Sequence, residues 1–214
     1  MTKEATLLGG LAWGKPNKPG GEPASAVVSA YEALSTENAA MALEALKFSF
    51  GGSIREVRVF RNETRVEVVS TDVPEILKWL RDEPELEYKY LSEIAAAEWY
   101  KHLQTAERFI YVSYDLYSFK LKSRFYVYCL LPKEAPELTS VADMFTTADW
   151  HEREIFDLFG VNFTGHPDLR RILLPAQYDG HPLLKEYPAR GKDVWNLGHN
   201  VLPSHYDEII GSII

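Results

Sequence analysis

Two kinds of hydrophobic periodicity alternate along this chain. Residues 25–48 are rich in Ala, Leu, Glu and Met, which predicts a helix that could break near Ser35. In the stretch 54–70, apolar side chains alternate with polar ones on both sides of a central Arg-Asn-Glu, so we predict two strands joined by a tight turn. Residues 72–85 begin with a capping Asp and an early Pro and then place apolar residues on one face, which predicts a short helix.

A second β region follows. Residues 108–118 and 123–132 are dense in aromatic and β-branched residues and predict two strands, whereas 87–100 is ambiguous because three consecutive alanines favour helix and the flanking Tyr and Trp favour strand. Residues 140–160 predict one or two helices ending at Gly160. The order of elements predicts an α+β fold, a two-layer sandwich of a mostly antiparallel sheet with helices on one face.

The two ends of the chain differ from this domain. Residues 1–24 include a Pro- and Gly-rich stretch, which predicts a flexible N-terminal arm before an α/β domain over 25–160. Residues 161–214 show little periodicity but keep many apolar side chains, too many for a solvated tail. We therefore predict that 161–214 is an extended, irregular C-terminal segment that binds a partner.

Composition narrows the classes of function. The chain has 214 residues, a net charge of −8 and a pI near 5.3, which disfavours nucleic acid as a main partner. Its single cysteine, Cys129, excludes an intrachain disulfide and a Cys-based zinc or iron–sulfur site. No apolar run approaches the length of about 18 residues that a membrane span requires, and neither a phosphate-binding loop nor a dinucleotide fingerprint is present.

A charged cluster in the last predicted helix could suggest paired catalytic carboxylates. On a helix, however, Glu152 and Glu154 are two residues apart and point away from each other. Glu154 and Asp157 share a face, and Arg153 can pair with Asp157 at i,i+4. The cluster therefore indicates a charged helix face that pairs internally or with a partner.

Gly-His-Pro occurs twice, at 165–167 and 180–182. Glycine permits a strained turn and proline holds the preceding histidine extended, so each motif predicts a corner in the chain. The imidazoles could bind a backbone group, a carboxylate or a metal, although their spacing does not match a zinc-binding helix. The basic residues of the segment are Arg170, Arg171, Lys185, Arg190 and Lys192. They are either solvated or form salt bridges to an acidic partner surface, and we favour the salt bridges.

The stretch "EREIFDLFGVNFTGHPDLRRIL", residues 152–173, resembles the signature of the 30-kDa subunit of respiratory complex I, the proton-pumping NADH:quinone oxidoreductase. The residues that match the family pattern are Glu152, Arg153, Glu154, Asp157, Leu158, Phe159, His166, Arg170, Ile172 and Leu173. The second corner reads "GHPLLKEYP", where the family often has Gly-His-Pro-Leu-Arg-Lys-Asp-Tyr-Pro, so Leu184 and Glu186 depart from it. The first of these changes removes a cation and any salt bridge that it would form.

The resemblance implies an α/β domain with a C-terminal segment running over the 49-kDa-type subunit that carries the quinone site. It implies a non-catalytic subunit of an NADH:quinone oxidoreductase, peripheral on the cytoplasmic side of the inner membrane, beside iron–sulfur subunits of the hydrophilic arm. NADH or ferredoxin, FMN, iron–sulfur clusters and quinone would belong to the assembly, and this chain would hold no cofactor, metal or catalytic residue. The alternative is the equivalent subunit of a ferredoxin-dependent photosynthetic complex or of a membrane-bound hydrogenase relative.

From these patterns we predict a partner interface on the last helix and on the segment that follows it. Its residues would be Glu152, Arg153, Glu154, Asp157, His166, Pro167, Arg170, Arg171, His181, Pro182, Lys185 and Tyr187.

Overall fold

The computed structural model describes residues 24–60, 63–100 and 108–188, excluding the side chains of 24–35 and of Tyr100. The helices are α1 (Ala24–Phe50), α2 (Val73–Asp82) and α3 (Ala148–Phe159). The strands are β1 (Ile54–Phe60), β2 (Glu63–Val68), β3 (Tyr90–Tyr100), β4 (Arg108–Ser118), β5 (Ser123–Pro132), β6 (Glu137–Thr139) and β7 (Asn162–Thr164).

The main sheet has the strand order β1-β2-β5-β4-β3. Its neighbours are antiparallel except for β2 and β5, which run parallel because the chain passes through α2, β3 and β4 before β5 returns beside β2. A second, small sheet pairs β6 with β7 in parallel. The predicted α+β fold with a mostly antiparallel sheet is confirmed.

Alternation along the strands puts one face of the main sheet into the core. Val66, Val127 and Tyr114 are opposite one another on three neighbouring strands and are fully buried. The apolar faces of α1 and α2 close over this surface, with Leu46 of α1 and Leu77 of α2 completely buried.

Helix α3 lies against β3, the last strand of the sheet. The ring nitrogen Nδ1 of His151 accepts the backbone N–H of Ile94 at 3.2 Å, and the Thr147 hydroxyl donates to the carbonyl of Leu91 at 3.1 Å. These contacts satisfy backbone groups that an edge strand would otherwise leave unpaired.

Three sequence-based predictions need correction or completion. α1 continues through Ser35 without a break, since residues 24–50 contain no Pro or Gly to end the helix. The ambiguous stretch 87–100 forms β3, because its alanines are paired with β4 in an antiparallel ladder. Only the second half of 140–160 is helical, while Val141 and Phe145 bury their side chains from the turns before α3.

Packing continues across residue 160, where we predicted the end of the domain. Gly160 takes a left-handed φ of 77° and ends α3. The chain then buries Val161 and Phe163 in the core and forms β7. The core therefore includes the first residues of the C-terminal segment.

Candidate functional site

Two carboxylates of α3 are completely buried, at opposite ends of the contact between this helix and the chain that follows it. Glu152 accepts the backbone N–H of Val141 at 2.7 Å and the hydroxyl of Ser140. Burial raises the pKa of Glu152, and the hydrogen bonds from Ser140 and Val141 offset only part of that effect. Glu152 thus ties the turn before α3 to the helix.

His166, in the first Gly-His-Pro corner, lies beside Glu152. Its ring is fully buried, and its Nδ1 accepts the backbone N–H of Asp168 at 3.0 Å. The Nε2 atom therefore carries the proton and donates to the carbonyl of Asp149 at 3.2 Å, with a Glu152 oxygen 3.9 Å away. Gly165 supplies the turn with a φ of 82°. This corner is bound to the N-terminal half of α3.

Asp157 organises the chain between the two corners. One carboxylate oxygen faces the Arg171 guanidinium at 2.6 Å, and the other accepts the backbone N–H groups of Ile172, Leu173 and Leu174 at 2.8–3.0 Å. Burial opposes ionisation, but these hydrogen bonds outweigh it and lower the pKa of Asp157. A single carboxylate thus holds three successive residues that have no regular structure.

Arg171 continues the connection to the second corner. Its Nη2 donates to the carbonyls of Tyr178 and Gly180, both at 3.0 Å. Its Nη1 also donates to the backbone carbonyl of Asp157, at 3.1 Å, so both terminal nitrogens of the guanidinium are used within the chain.

His181 fixes the second corner to the C-terminal end of α3. Its Nδ1 donates to the carbonyl of Asp157 at 2.9 Å, and its ring meets Phe156 edge-on. The ring also lies so close to Gly160 that a Cβ atom there would be 2.7 Å from a ring carbon. Gly180 turns the chain into the histidine with a φ of 91°.

The end of the described chain is bound to the main sheet through Glu98, which sequence reasoning missed. Glu98 is buried on β3, accepts the backbone N–H of Lys185 and pairs with Arg108 at 2.9 Å. Glu186 reaches the same Arg108 at 3.1 Å and also binds Lys133. The available signal was a glutamate at a core-facing position of a strand, where an unpaired charge is costly.

These contacts make several predicted interface residues internal. Glu152, Asp157 and Arg171 form hydrogen bonds or ion pairs within the chain. The predicted i,i+4 pair of Arg153 with Asp157 is wrong, because Asp157 faces the C-terminal segment instead. Arg153 lies over the Trp150 ring, 5.4 Å from its centroid, and donates to the carbonyl of Arg170 at 3.2 Å.

Other predicted residues are on the surface. Glu154, Pro167, Arg170 and Lys185 are exposed, whereas Pro182 and Tyr187 are half-buried. Tyr187 stacks on Tyr178 and donates its hydroxyl proton to it at 2.8 Å. Arg190 and Lys192 lie outside the described residues. Membership of a partner interface stays a prediction for all of these residues.

Several large side chains near the exposed predicted residues also face solvent. Trp150, Leu173 and Leu183 have exposed fractions of 62%, 61% and 51%. Arg153 links Trp150 to the backbone of Arg170, and Leu183 donates its backbone N–H to the carbonyl of Leu158 on α3. We name the set Trp150, Arg170, Leu173 and Leu183 the α3–tail surface.

Both Gly-His-Pro motifs act as corners, as predicted, with left-handed glycines and imidazoles bound to backbone carbonyls. In residues 36–60, 63–99 and 108–188, no group of three or more His, Cys, Asp or Glu side chains is arranged to hold a metal ion. Within the described part of the chain, no helix combines the length and hydropathy required to cross a bilayer.

A family model described as "Respiratory-chain NADH dehydrogenase, 30 Kd subunit" matches residues 66–193. A subunit of the NADH-quinone oxidoreductase of Geobacter sulfurreducens is 38% identical over 148 residues, which is 69% of this chain and 88% of the relative. A subunit of an NADH-quinone oxidoreductase of Rhizobium meliloti is 37% identical over 155 residues, covering 72% of this chain and 82% of that protein.

Solved structures show the same similarity. The trypsin-resistant fragment of Nqo5 matches with a TM-score of 0.50 and 26% identity, over 59% of this chain and 97% of the fragment. A chain of the membrane-bound sulfane sulfur reductase, an archaeal respiratory membrane complex, matches with a TM-score of 0.54 over 77% of this chain and 92% of its own length. At 18% identity, that second similarity concerns the fold alone.

Proposed function

This chain belongs to the family of the 30-kDa subunit of respiratory-chain NADH dehydrogenase, and from that premise we propose that it scaffolds the 49-kDa-type quinone-site subunit. Its relatives are subunits of an NADH-quinone oxidoreductase, so it is a subunit of that oxidoreductase complex. In the proposal, electron transfer occurs in other subunits, and this chain contributes shape and contacts on the cytoplasmic side of the membrane.

The α3–tail surface is the observation that carries the proposal. Residues 165–188 have almost no regular structure, yet Asp157, Arg171 and His181 hold them against α3. The same segment leaves Leu173 and Leu183 exposed. Apolar side chains that a fixed, irregular segment leaves in solvent are available for contact with another subunit.

The cysteine content supports a subunit without its own redox centre. An iron–sulfur cluster requires several thiolate ligands, and the chain has one cysteine. Cys129 is buried in β5, and burial raises the pKa of its thiol to about 12. Such a thiol is a poor ligand and a poor nucleophile at neutral pH.

A second candidate is the equivalent subunit of a ferredoxin-dependent photosynthetic complex or of a membrane-bound hydrogenase relative. The same fold occurs in a chain of an archaeal respiratory membrane complex, so the fold by itself does not decide between the candidates. The co-purifying subunits discriminate between the candidates. An NADH-input module indicates the respiratory form, whereas two cysteine pairs for a nickel–iron site in the large partner indicate a hydrogenase.

The proposal is tested by purifying the complex from detergent-solubilised membranes through a tag on this chain. The wild-type chain should recover the 49-kDa-type subunit. Arg170→Ala and Leu183→Ser should reduce recovery without changing the thermal midpoint of the isolated chain, since both side chains are exposed. Where Arg170 pairs with a desolvated charge of the partner, its truncation should cost about 2–5 kcal/mol of association free energy.

Lys78→Ala is the matched control, because Lys78 is an exposed cation on α2. Its recovery should equal that of the wild type. Purification of a lone monomer from wild-type membranes, or equal recovery in all variants, would contradict the scaffold proposal.

A further inference from the structure

The face of the main sheet opposite the core contains a groove. A polar depression of about 310 Å³ and a more apolar depression of about 290 Å³ meet at Arg65, which lines both. Ala95 and Ala97 of the edge strand β3 and Ser113 of the neighbouring β4 form part of its lining. Trp99, with 53% of its surface exposed, lies at the more apolar end, which also includes charged side chains of β1 and β2. We name this feature the sheet groove.

The polar end of the sheet groove carries opposed negative charges. Glu93 of β3 lies directly opposite Asp115 of β4 in the antiparallel register, next to an irregularity between Leu91 and Glu93. Like charges in directly opposite positions destabilise a sheet. No ion pair of Glu93 with a cation is found among the described residues.

Asp115 is only partly satisfied. The residue is buried, with an exposed fraction of 9%. One carboxylate oxygen pairs with Arg124, while the other is buried without a hydrogen-bond partner within the described part of the chain. Burial, with a contribution from Glu93, raises the pKa of Asp115 even though Arg124 acts in the opposite direction.

Arg65, the other cation that lines the polar end, is already engaged. Arg65 pairs with Glu63 at 2.8 Å and lies over the Tyr126 ring, 4.5 Å from its centroid. The polar end is therefore lined by two carboxylates, Glu93 and Asp115, and by two arginines, of which Arg124 pairs with Asp115 and Arg65 with Glu63. A positively charged group entering there would relieve the repulsion and satisfy the orphaned oxygen.

We propose that the sheet groove receives an extended segment of a neighbouring subunit, whose arginine or lysine pairs with Asp115 and Glu93 while an apolar side chain lies against Trp99. The small side chains of Ala95, Ala97 and Ser113 leave room for a backbone along the groove. The mixed character of its two ends, acidic and apolar, selects a polypeptide over a small cation. This inference rests on the proposed function, since the partner is another subunit of the complex.

Thiol labelling tests occupancy of the groove. Ala95→Cys places a reactive thiol on its floor, and the buried Cys129, with its pKa of about 12, gives little background. We expect a maleimide to label Ala95→Cys readily in the isolated full chain and at least about tenfold more slowly in the purified complex. Glu75→Cys, exposed on α2, should label equally in both preparations.

The outcomes separate the possible occupants. Protection that already exists in the isolated monomer would mean that the chain covers its own groove, and protection in a dimer of the isolated chain would mean a second copy. Either result overturns the proposal, as does equal labelling in the isolated chain and the complex. Leu183→Cys, labelled in parallel, tests the α3–tail surface. If the complex protects Leu183→Cys but not Ala95→Cys from maleimide, the groove inference is refuted and the proposed function is not.

The charge requirement is tested by adding Glu93→Gln to Ala95→Cys. Loss of one carboxylate should raise the labelling rate in the complex about tenfold, a change of about 1.4 kcal/mol, because Glu93 is exposed and Asp115 remains to pair with the incoming cation. The thermal midpoint of the isolated Glu93→Gln chain should stay the same or rise, because a like-charge opposition disappears. A lower midpoint or an unchanged labelling rate would contradict the pairing, and Glu75→Gln, which changes a charge outside the groove, should alter neither quantity.

Discussion

Asp157→Asn removes the charge that holds the C-terminal segment on α3 and changes almost nothing in side-chain volume. The carboxylate accepts four hydrogen bonds, one from Arg171 and three from the backbone N–H groups of Ile172, Leu173 and Leu174. An asparagine keeps one acceptor oxygen and turns an NH₂ group toward the remaining donors. Whichever way the amide is oriented, donors that were satisfied face another donor.

The expected cost follows from the loss of one member of a buried ion pair, about 3–5 kcal/mol. Adding four charge-assisted hydrogen bonds at about 1.5–3 kcal/mol each would give a larger figure, but bonds to one group are not independent. Arg171 also keeps its contacts with the carbonyls of Tyr178 and Gly180, which limits the loss. Since about 1.4 kcal/mol is a factor of ten, the segment should open roughly a hundred to a few thousand times more often.

Hydrogen exchange of the Leu173 and Leu174 amides measures this opening directly, because both donate to Asp157 in the closed state. We expect faster exchange in Asp157→Asn by the factor given above, with exchange in β4 and β5 much less affected. Trypsin cleavage after Arg170 and Arg171 should accelerate in parallel. Glu154→Gln is the matched control on the same helix, since Glu154 is exposed and forms no ion pair within the described residues.

Opening of the C-terminal segment should increase at acidic pH. The pKa of Asp157 is lowered in the folded state from its ordinary value of 3.8. Its stabilisation is therefore fully present above 3.8 and is lost as the pH falls through the lower folded value. Asp157→Asn should lack this acid-dependent opening of the segment. Exchange rates within a factor of about three of wild type, a change worth less than 1 kcal/mol, would refute the role assigned to the carboxylate.

Two further predictions concern the ends of the same contact. Gly160→Ala should lower the free energy of unfolding by more than the roughly 1–2 kcal/mol of left-handed backbone strain, because the new Cβ would lie 2.7 Å from the His181 ring. Adding His181→Ala should recover the steric part of this loss, as measured by urea denaturation. An unchanged free energy of unfolding in Gly160→Ala would contradict the close approach. Burial raises the pKa of Glu152 above its ordinary value of 4.5. The protonated carboxyl therefore stabilises the fold below pH 4.5, and this stabilisation is lost as the pH rises through the folded pKa. Glu152→Gln should remove the corresponding decline in thermal midpoint with pH, and parallel curves of midpoint against pH for the two proteins would contradict this role of Glu152.

Local pattern was enough to predict the long strands, because each carries its own alternation. β4 and β5 coincide with the predicted 108–118 and 123–132. The strands β6 and β7 are three residues each and pair in parallel across more than twenty residues, so no local periodicity reveals them. β3 was ambiguous for a related reason, since alanine has no strong strand preference and only its partners on β4 decide the outcome.

The two Gly-His-Pro corners of the site were predictable because their shape also depends on local sequence. A Gly-X-Pro sequence restricts its own backbone, so both corners could be inferred from residues 165–167 and 180–182 alone. The residue that pairs with Asp157 could not be inferred from the sequence. Arg153 lies one helical turn away and is the local candidate, but Arg171 brings three backbone N–H groups with it into the same carboxylate. Rules based on residue spacing cannot predict which of two arginines pairs with a carboxylate when one of them is distant in sequence.

The two corners bind α3 at different places, and that difference determines what a partner can meet. His166 is tied through Nε2 to the carbonyl of Asp149, while His181 is tied through Nδ1 to the carbonyl of Asp157. The chain between them is held by Asp157 and Arg171, so its shape exists before any partner arrives. A preformed segment avoids the cost of ordering on association. Arg171 is used within the chain, whereas Arg170 forms an exposed ion pair with Asp168 at 2.8 Å that a charge on a partner can replace. Arg171→Ala should therefore open the segment, while Arg170→Ala should weaken assembly alone.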